Sequence, residues 1–295
     1  RLSRQSMLSA PRAERQAQIV SRRAAAATGY ATLWAQVTSA WRQPGDDRLW
    51  LVYAANYLCR TRGVRWALDP LALRQRVPQA PAVDLSLLSA LSFVLLTHRH
   101  ADHLDLDLIR GLRGMPIRWV IPELLLPGIF EQAGLAESQV IVPRPFQPIP
   151  IGDMRITPFD GLHWEPQPAS GGAPRGVPAM GYLVEFNGRR WLFPGDVRDY
   201  FQPLPDFGPL EGVFAHLWLG RGAALLSDPP LLEAFSAFYA RLPARRVIVT
   251  HLHELGREPE DYWGEGHYTA AAVRLRQLNP ALQVECAVMG QSLVL

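Results

Sequence analysis

The chain has 295 residues, 48% of them hydrophobic and 19% charged, with nine tryptophans and a formal net charge of only +3. That composition excludes a disordered chain, and so small a charge is no electrostatic footprint for nucleic acid. All thirty residues of the Lys+Arg class are arginine, which excludes a lysine nucleophile or Schiff base. The length permits one large domain or two smaller ones. No apolar run is long enough for a membrane span, and no charged-then-apolar signal pattern opens the chain. The cytoplasm is therefore the expected location. Residue 1 is Arg, so the numbering can start inside a longer chain. Cys59 and Cys286 match no metal or redox spacing; two free thiols are the default expectation and one disulfide the alternative.

Residues 11–42 are Ala-rich and read as helix, with Gly29 a candidate break. Residues 1–48 form an N-terminal helical extension, expected to serve packing or a homo-oligomer contact, or else to lie over a site mouth. From Leu49 the texture changes. "LWLVYAANYLCRTRGVRWALDP" reads as two strands joined by "RTRG" and ending at Asp69-Pro70. "LSFVLLT" (91–97) is a continuous apolar run, the pattern of a buried strand. A helix is expected from Asp102 to Leu112, a strand at 117–122 and a helix at 127–134. Short strands follow in "QVIVP", "MRITPF", "MGYLVEF" and "RRWLFPG". Strands at 212–219 and 245–250 flank a helix at 229–241. A last helix (268–278) precedes the closing strand "QVECAVM". Strands then helix, twice over, suit a two-sheet core with helices outside, an α+β arrangement.

"LLTHRHADHLDLD" (95–107) places three histidines and an aspartate in six positions directly after the buried strand. In extended chain, residues i and i+2 point to one side, so His98 and His100 converge on one point. Asp102 and His103, beginning the next helix, serve a second point a few ångströms away. Three imidazoles and a carboxylate suit Zn²⁺ or another borderline first-row ion.

This H-x-H-x-D-H motif resembles that of the metallo-β-lactamase superfamily, whose members share a four-layer αββα sandwich and bind one or two metals at strand ends. The resemblance runs over residues 49–295, the expected hydrolase domain, and implies further ligands downstream. His163, in the loop after "MRITPF", matches the third motif. Asp196, in "FPGD" after a strand, matches the metal-bridging aspartate. In "RRVIVTHLHELGR" the final ligand is assigned to His251, which directly follows the strand, with His253 the alternative. Asp69 matches the aspartate that orients the metal loop without ligating metal. His98, His100 and His163 would form one site and Asp102, His103 and His251 the other, with Asp196 shared. The cofactor implied is two divalent ions, Zn²⁺ first, with Mn²⁺ or Fe as alternatives.

The resemblance implies a hydrolase acting through a metal-bound hydroxide that Asp102 orients. Metal-bound water, His253 or Tyr200 would protonate the leaving group. The motif and preceding hairpin look most like the ascorbate-6-phosphate lactonase branch, so a lactone or other ester is the expected substrate. A phosphodiester is the alternative, because N-acyl-phosphatidylethanolamine phosphodiesterases share the "DHLD" ending. A metal-binding scaffold without catalysis stays open as a second class. Arg198, Arg221 and Arg257 lie just beyond ligand-bearing strand ends, where they would bind a carboxylate or phosphate or else stay solvated. Trp164 walls the pocket or packs in the core. His216 is expected beside the ligands or in the core, and His267 exposed or near the mouth.

Overall fold

The structure, a computed structural model, describes residues 11–166 and 173–295. The first ten residues of the expected extension lie outside this set. Helix α1 spans Arg12–Arg42. The strands are β1 (Arg48–Leu51), β2 (Tyr57–Thr61), β3 (Val64–Leu68), β4 (Phe93–Leu95), β5 (Arg118–Val120), β6 (Val140–Ile141) and β7 (Ile149–Ile151). Then come β8 (Met154–Asp160), β9 (Met180–Phe186), β10 (Arg189–Phe193), β11 (Leu210–His216), β12 (Ala244–Thr250), β13 (Gln283–Cys286) and β14 (Ser292–Val294). Three further helices are α2 (Leu106–Leu112), α3 (Leu232–Ala240) and α4 (Glu265–Leu278).

Two seven-stranded sheets result, ordered β14-β1-β2-β3-β4-β5-β6 and β13-β12-β11-β10-β9-β8-β7. Their central strands are buried on both faces, so alternate residues enter two different cores. In β12, Ile248 points between the sheets while Val247 and Val249 point to the outer helices. Between the sheets Trp66 stacks on Phe93 at 5.5 Å and Phe193 on Phe214 at 4.4 Å. Helices α1 and α2 cover the outside of the first sheet, α3 and α4 the outside of the second. The architecture is the expected αββα sandwich with an N-terminal helix.

β3, β4 and β5 run parallel, as do β10, β11, β12 and β13. Parallel strands put their C-terminal ends on one edge, where loops are free to carry chemistry. Asp69, His98, Asp196 and His251 all lie within a few residues beyond such ends.

Several elements differ from the sequence reading. The run 49–59 is two strands, broken at 52–56, because Asn56 turns its amide to the Asp69 and Asp102 carbonyls at 2.7 and 2.9 Å. The helix after the histidine cluster starts at Leu106, not Asp102, because Asp105 caps it by accepting from Leu108 N. The helix expected at 127–134 is present but irregular in pitch: a 3-10 turn (Glu123–Leu125) leads into an α-turn (Leu126–Gly128) and a π-turn (Ile129–Ala133), ended by Gly134 in left-handed conformation. The C-terminus makes two strands: β13 joins the second sheet, and β14 crosses to pair with β1. Cys59 and Cys286 are both free. No described helix is long and apolar enough to cross a membrane.

Gly29 does not break α1, whose buried stripe Ile19, Ala27, Tyr30, Trp34, Val37 and Trp41 follows helical spacing. Its polar handles are satisfied: the indoles of Trp34 and Trp41 donate to the Asp84 and Cys59 carbonyls. Trp34 is fully buried, and Trp34→Ala should cost about 3–5 kcal/mol of stability. Denaturant unfolding monitored by circular dichroism checks this; a loss within experimental error of zero would mean that α1 is not part of the cooperative core.

Candidate metal centre

His98, His100, His163 and Asp196 bring ligand atoms within 4.8 Å of one another, and so do Asp102, His103 and His251. These are the two sets read from the sequence. His98 Nε2 and His100 Nδ1 face each other at 3.2 Å. Asp196 lies between the sets. Its Oδ2 is 4.0 Å from His98 Nε2 and 3.7 Å from His163 Nε2. Its Oδ1 is 3.3 Å from His103 Nε2 and 4.0 Å from His251 Nε2. On the second side, Asp102 Oδ2 is 3.2 Å from His251 Nε2.

Local backbone explains each placement. Gly195 has φ +69°, a left-handed conformation open to glycine, and so turns Asp196 inward after β10. Gly176 lies so close behind the His163–Trp164 backbone that a Cβ would meet His163 O at 2.4 Å. Asp69 ends β3 at φ +44°, and its carboxylate accepts from Thr97 N at 2.7 Å, from Thr97 Oγ1 and from His103 Nδ1 at 2.8 Å. This bond turns His103 Nε2 toward Asp196. Thr97 Oγ1 likewise meets His98 Nδ1 at 2.9 Å, leaving Nε2 for the cluster.

Whether a cation fits can be judged from what the side chains lack. His103 Nε2 and His163 Nε2 are buried and hydrogen-bond to nothing among the described residues. Buried nitrogens converging without partners carry a cost that a shared cation removes. Burial holds His98 well below the usual histidine range, and it lowers His163 and takes His100 to about 4. Burial alone would push Asp102 and Asp196 up. The neighbouring imidazoles, with Arg257 for Asp102, outweigh it and hold both carboxyls well below the usual range. Neutral imidazoles and ionised carboxylates are the protonation states ligation needs. His103 is the exception: against the opposing effect of burial, Asp196 and Asp69 raise it well above the ordinary value, so a cation held there would displace a proton. Val177 N donates to His163 Nδ1 at 3.2 Å, and ligation through Nε2, which requires the proton on Nδ1, would displace that contact.

The other candidates fall in three places. His216 lies beside the cluster: Nδ1 is 2.8 Å from Asp196 Oδ1 and Nε2 is 3.3 Å from Tyr57 OH, so both ring nitrogens are engaged. Arg198 and Arg257 reach it too. Arg198 Nη2 is 3.7 Å from Asp196 Oδ2, and Arg257 Nη2 is 2.7 Å from Asp102 Oδ2. Trp164 is 42% exposed next to His163 and is not core.

His253, Tyr200 and His267 are not brought to the cluster. His251 takes φ +65° and His253 φ +55°, so the chain leaves β12 in left-handed turns and not extended, and the two histidines part. His253 Nδ1 meets Tyr262 OH at 3.0 Å. Tyr200 is buried among Phe235, Phe238 and Tyr239, and its hydroxyl donates to Trp218 O at 2.8 Å. Burial holds that hydroxyl well above the usual tyrosine range, so it is not placed to serve as an acid at the cluster. His267 is buried at the start of α4, accepting from Gly264 N and bonded to Ala224 O.

The sequence reading missed Arg76, Glu254 and Glu165. A cavity of about 250 Å³ over the cluster is lined by Arg76, Arg198, Arg221 and Arg257 with His100, Ala101 and Asp102. Glu254 follows His253 directly, and a carboxylate one residue past a candidate motif histidine is a signal that could have been read; its burial is visible only in the structure. Arg76, in a short turn after β3, carried none.

The family model of the β-lactamase superfamily domain matches residues 67–252. Among curated proteins, none matches the sequence. Solved structures share the fold. CmlA, a diiron β-hydroxylase from Streptomyces venezuelae, superposes with TM-score 0.59 at 19% identity over 86% of this chain. This chain spans 55% of CmlA's length. Igni18, a metallo hydrolase from Ignicoccus hospitalis, gives 0.59 at 15% identity over 85% of this chain and 99% of its own. YhfI from Bacillus subtilis, a metallo-β-lactamase fold protein, gives 0.56 at 12% over 84% and 100%. A match over more than half of the chain, on this four-layer frame, makes the chain a member of the β-lactamase superfamily with the metallo-β-lactamase fold.

Proposed function

We propose that this chain is a dinuclear metal-dependent hydrolase acting on an ester, with lactones of the kind opened by the ascorbate-6-phosphate lactonase branch as the first class to test. The observation that carries this reading is Asp196, whose two oxygens face two separate ligand sets. His98, His100 and His163 would hold one divalent cation, Asp102, His103 and His251 the other, and Asp196 both. When bound, such a pair supplies Lewis acidity for the developing oxyanion and an acidified water as nucleophile. The imidazole and carboxylate donors suit Zn²⁺, Mn²⁺ or Fe.

The chain's own groups do the rest. Asp102, which lines the cavity, would orient the nucleophile. Asp69 holds His103 in one tautomer, as carboxylate partners of metal-binding histidines do. Arg198 and Arg257 hold Asp196 and Asp102 in place and add positive charge where negative charge develops. With Tyr200 in the core and His253 turned to Tyr262, solvent in the cavity is the proton source for the leaving group. A phosphodiester is the second reading, favoured by the arginines in contact with the cluster's carboxylates.

Three outcomes test this reading. Elemental analysis should find two divalent ions per chain, and Asp102→Ala should reduce that number and abolish turnover in a screen of lactones, esters and phosphodiesters. Two ions retained with full turnover in Asp102→Ala would sink the assignment. His251→Ala should lose metal as Asp102→Ala does, whereas His253→Ala should keep both ions; the reverse result would exchange their roles. Asp69→Asn should weaken metal affinity by about 10–100-fold in a competitive chelator titration without removing a ligand.

A further inference from the structure

Two arginine–glutamate–arginine clusters supply the four arginines that line the cavity over the candidate metal centre. In the first, Glu254 sits between Arg76 and Arg257. Its Oε1 is 3.0 Å from Arg76 Nε and its Oε2 is 2.8 Å from Arg257 Nε. In the second, Glu165 sits between Arg198 and Arg221, its Oε1 being 3.5 Å from Arg198 Nη1 and in close ion-pair contact with Arg221 Nη2. Arg257 touches Asp102, and Arg198 touches Asp196 on the Oδ2 side. One cluster thus abuts each half of the metal centre.

Three of the four arginines are more than solvated surface groups, while Arg221 is 47% exposed at the rim. Arg198 is 5% exposed, Arg76 20% and Arg257 25%, so each has given up most of its water. Four guanidiniums face Glu254 and Glu165, and Arg257 and Arg198 also touch Asp102 and Asp196, so the charges balance in the chain alone and the case for a ligand rests on donors left unpaired. Arg198 Nε is buried with no hydrogen bond, and Nη1 of Arg76, Arg221 and Arg257 bonds to nothing among the described residues. A desolvated guanidinium with spare N–H groups in a cavity wall selects oxyanions, carboxylate or phosphate, with forked geometry. The shared glutamate holds each pair of arginines in position before a ligand arrives, which lowers the ordering cost of binding.

We infer that the two clusters are anion subsites and that the substrate carries an oxyanion, carboxylate or phosphate, outside the bond that is cut. Neutral esters and lactones are then poor substrates, and Arg76 and Arg221, which touch no carboxylate of the metal centre, set specificity. This inference rests on the hydrolase reading only for where the scissile bond lies; anion binding is measured separately.

The test uses the full metal-loaded chain and the same protein after chelation. Calorimetry with succinate and with inorganic phosphate should give binding in both states, and the better-bound probe identifies the group as carboxylate or phosphate. In R76Q/R221Q the metal content should be unchanged and the affinity of the better probe for the chelated protein lower by about tenfold or more, as for one lost charge-assisted hydrogen bond. In the turnover arm, 4-nitrophenyl hemisuccinate should exceed 4-nitrophenyl acetate in kcat/KM, and R76Q/R221Q should erase the difference chiefly through KM. Equal probe affinity in wild type and variant, or equal kcat/KM for the two esters in wild type, would overturn the inference. Anion binding that falls in the variant with no turnover of any ester would support the subsites while sinking the hydrolase reading.

Discussion

A buried carboxylate at the end of one strand, Asp69, is the constraint from which the centre is built. Burial opposes its ionisation and raises its pKa, and the donors of Thr97 and His103 offset that cost. Its backbone N–H reaches Leu95 O at 2.9 Å, which ties β3 to β4, and its side chain then catches the first residues beyond β4. One residue therefore sets the path of the loop 97–103 and the ring of His103. Asn56 closes the same knot from the break between β1 and β2, holding the Asp69 and Asp102 carbonyls together.

The centre is a seam between two sheets. The first sheet delivers His98, His100, Asp102 and His103 through one loop. The second delivers His163, Asp196 and His251 from three separate strand ends. What holds the seam in register is the apolar layer beneath it, where Tyr57 packs edge-on against Phe214 at 5.4 Å. Tyr57 also carries polarity upward: its hydroxyl meets His216 Nε2 and donates to Thr250 Oγ1, and Thr250 in turn donates to Ala54 O. The end of β12 is thereby fastened to the break in the first sheet, and His251 N adds a second bond to the same carbonyl.

Helix α1 has no residue at the cluster, yet it bears on the rim. Arg23 hydrogen-bonds the carbonyls of Leu255 and Arg257, and Arg22 Nη1 donates to Tyr262 OH at 2.8 Å. The loop after β12, which presents Arg257 to the cavity, is thus braced from behind by the helix. Packing against the first sheet and support of the site mouth are one and the same role for this helix.

The repeating parts of this protein were legible in its residues. Apolar runs marked the strands because burial on both faces leaves no polar alternation, and H-x-H-x-D-H marked a candidate metal loop because few other uses need that density of ligand types. Motif order then pointed to His163, Asp196 and His251. What only the tertiary structure decided lies in backbone turns and long-range pairing. Left-handed residues at 251 and 253 separated two histidines that an extended chain would have kept together. The core claimed Tyr200, and the start of α4 claimed His267. Arg76 entered a rim it shares with Arg221, 145 residues away, with no local pattern to announce it. Periodicity and spacing record what a segment does with its near neighbours; which distant side chains share a cavity is set by how the two sheets meet.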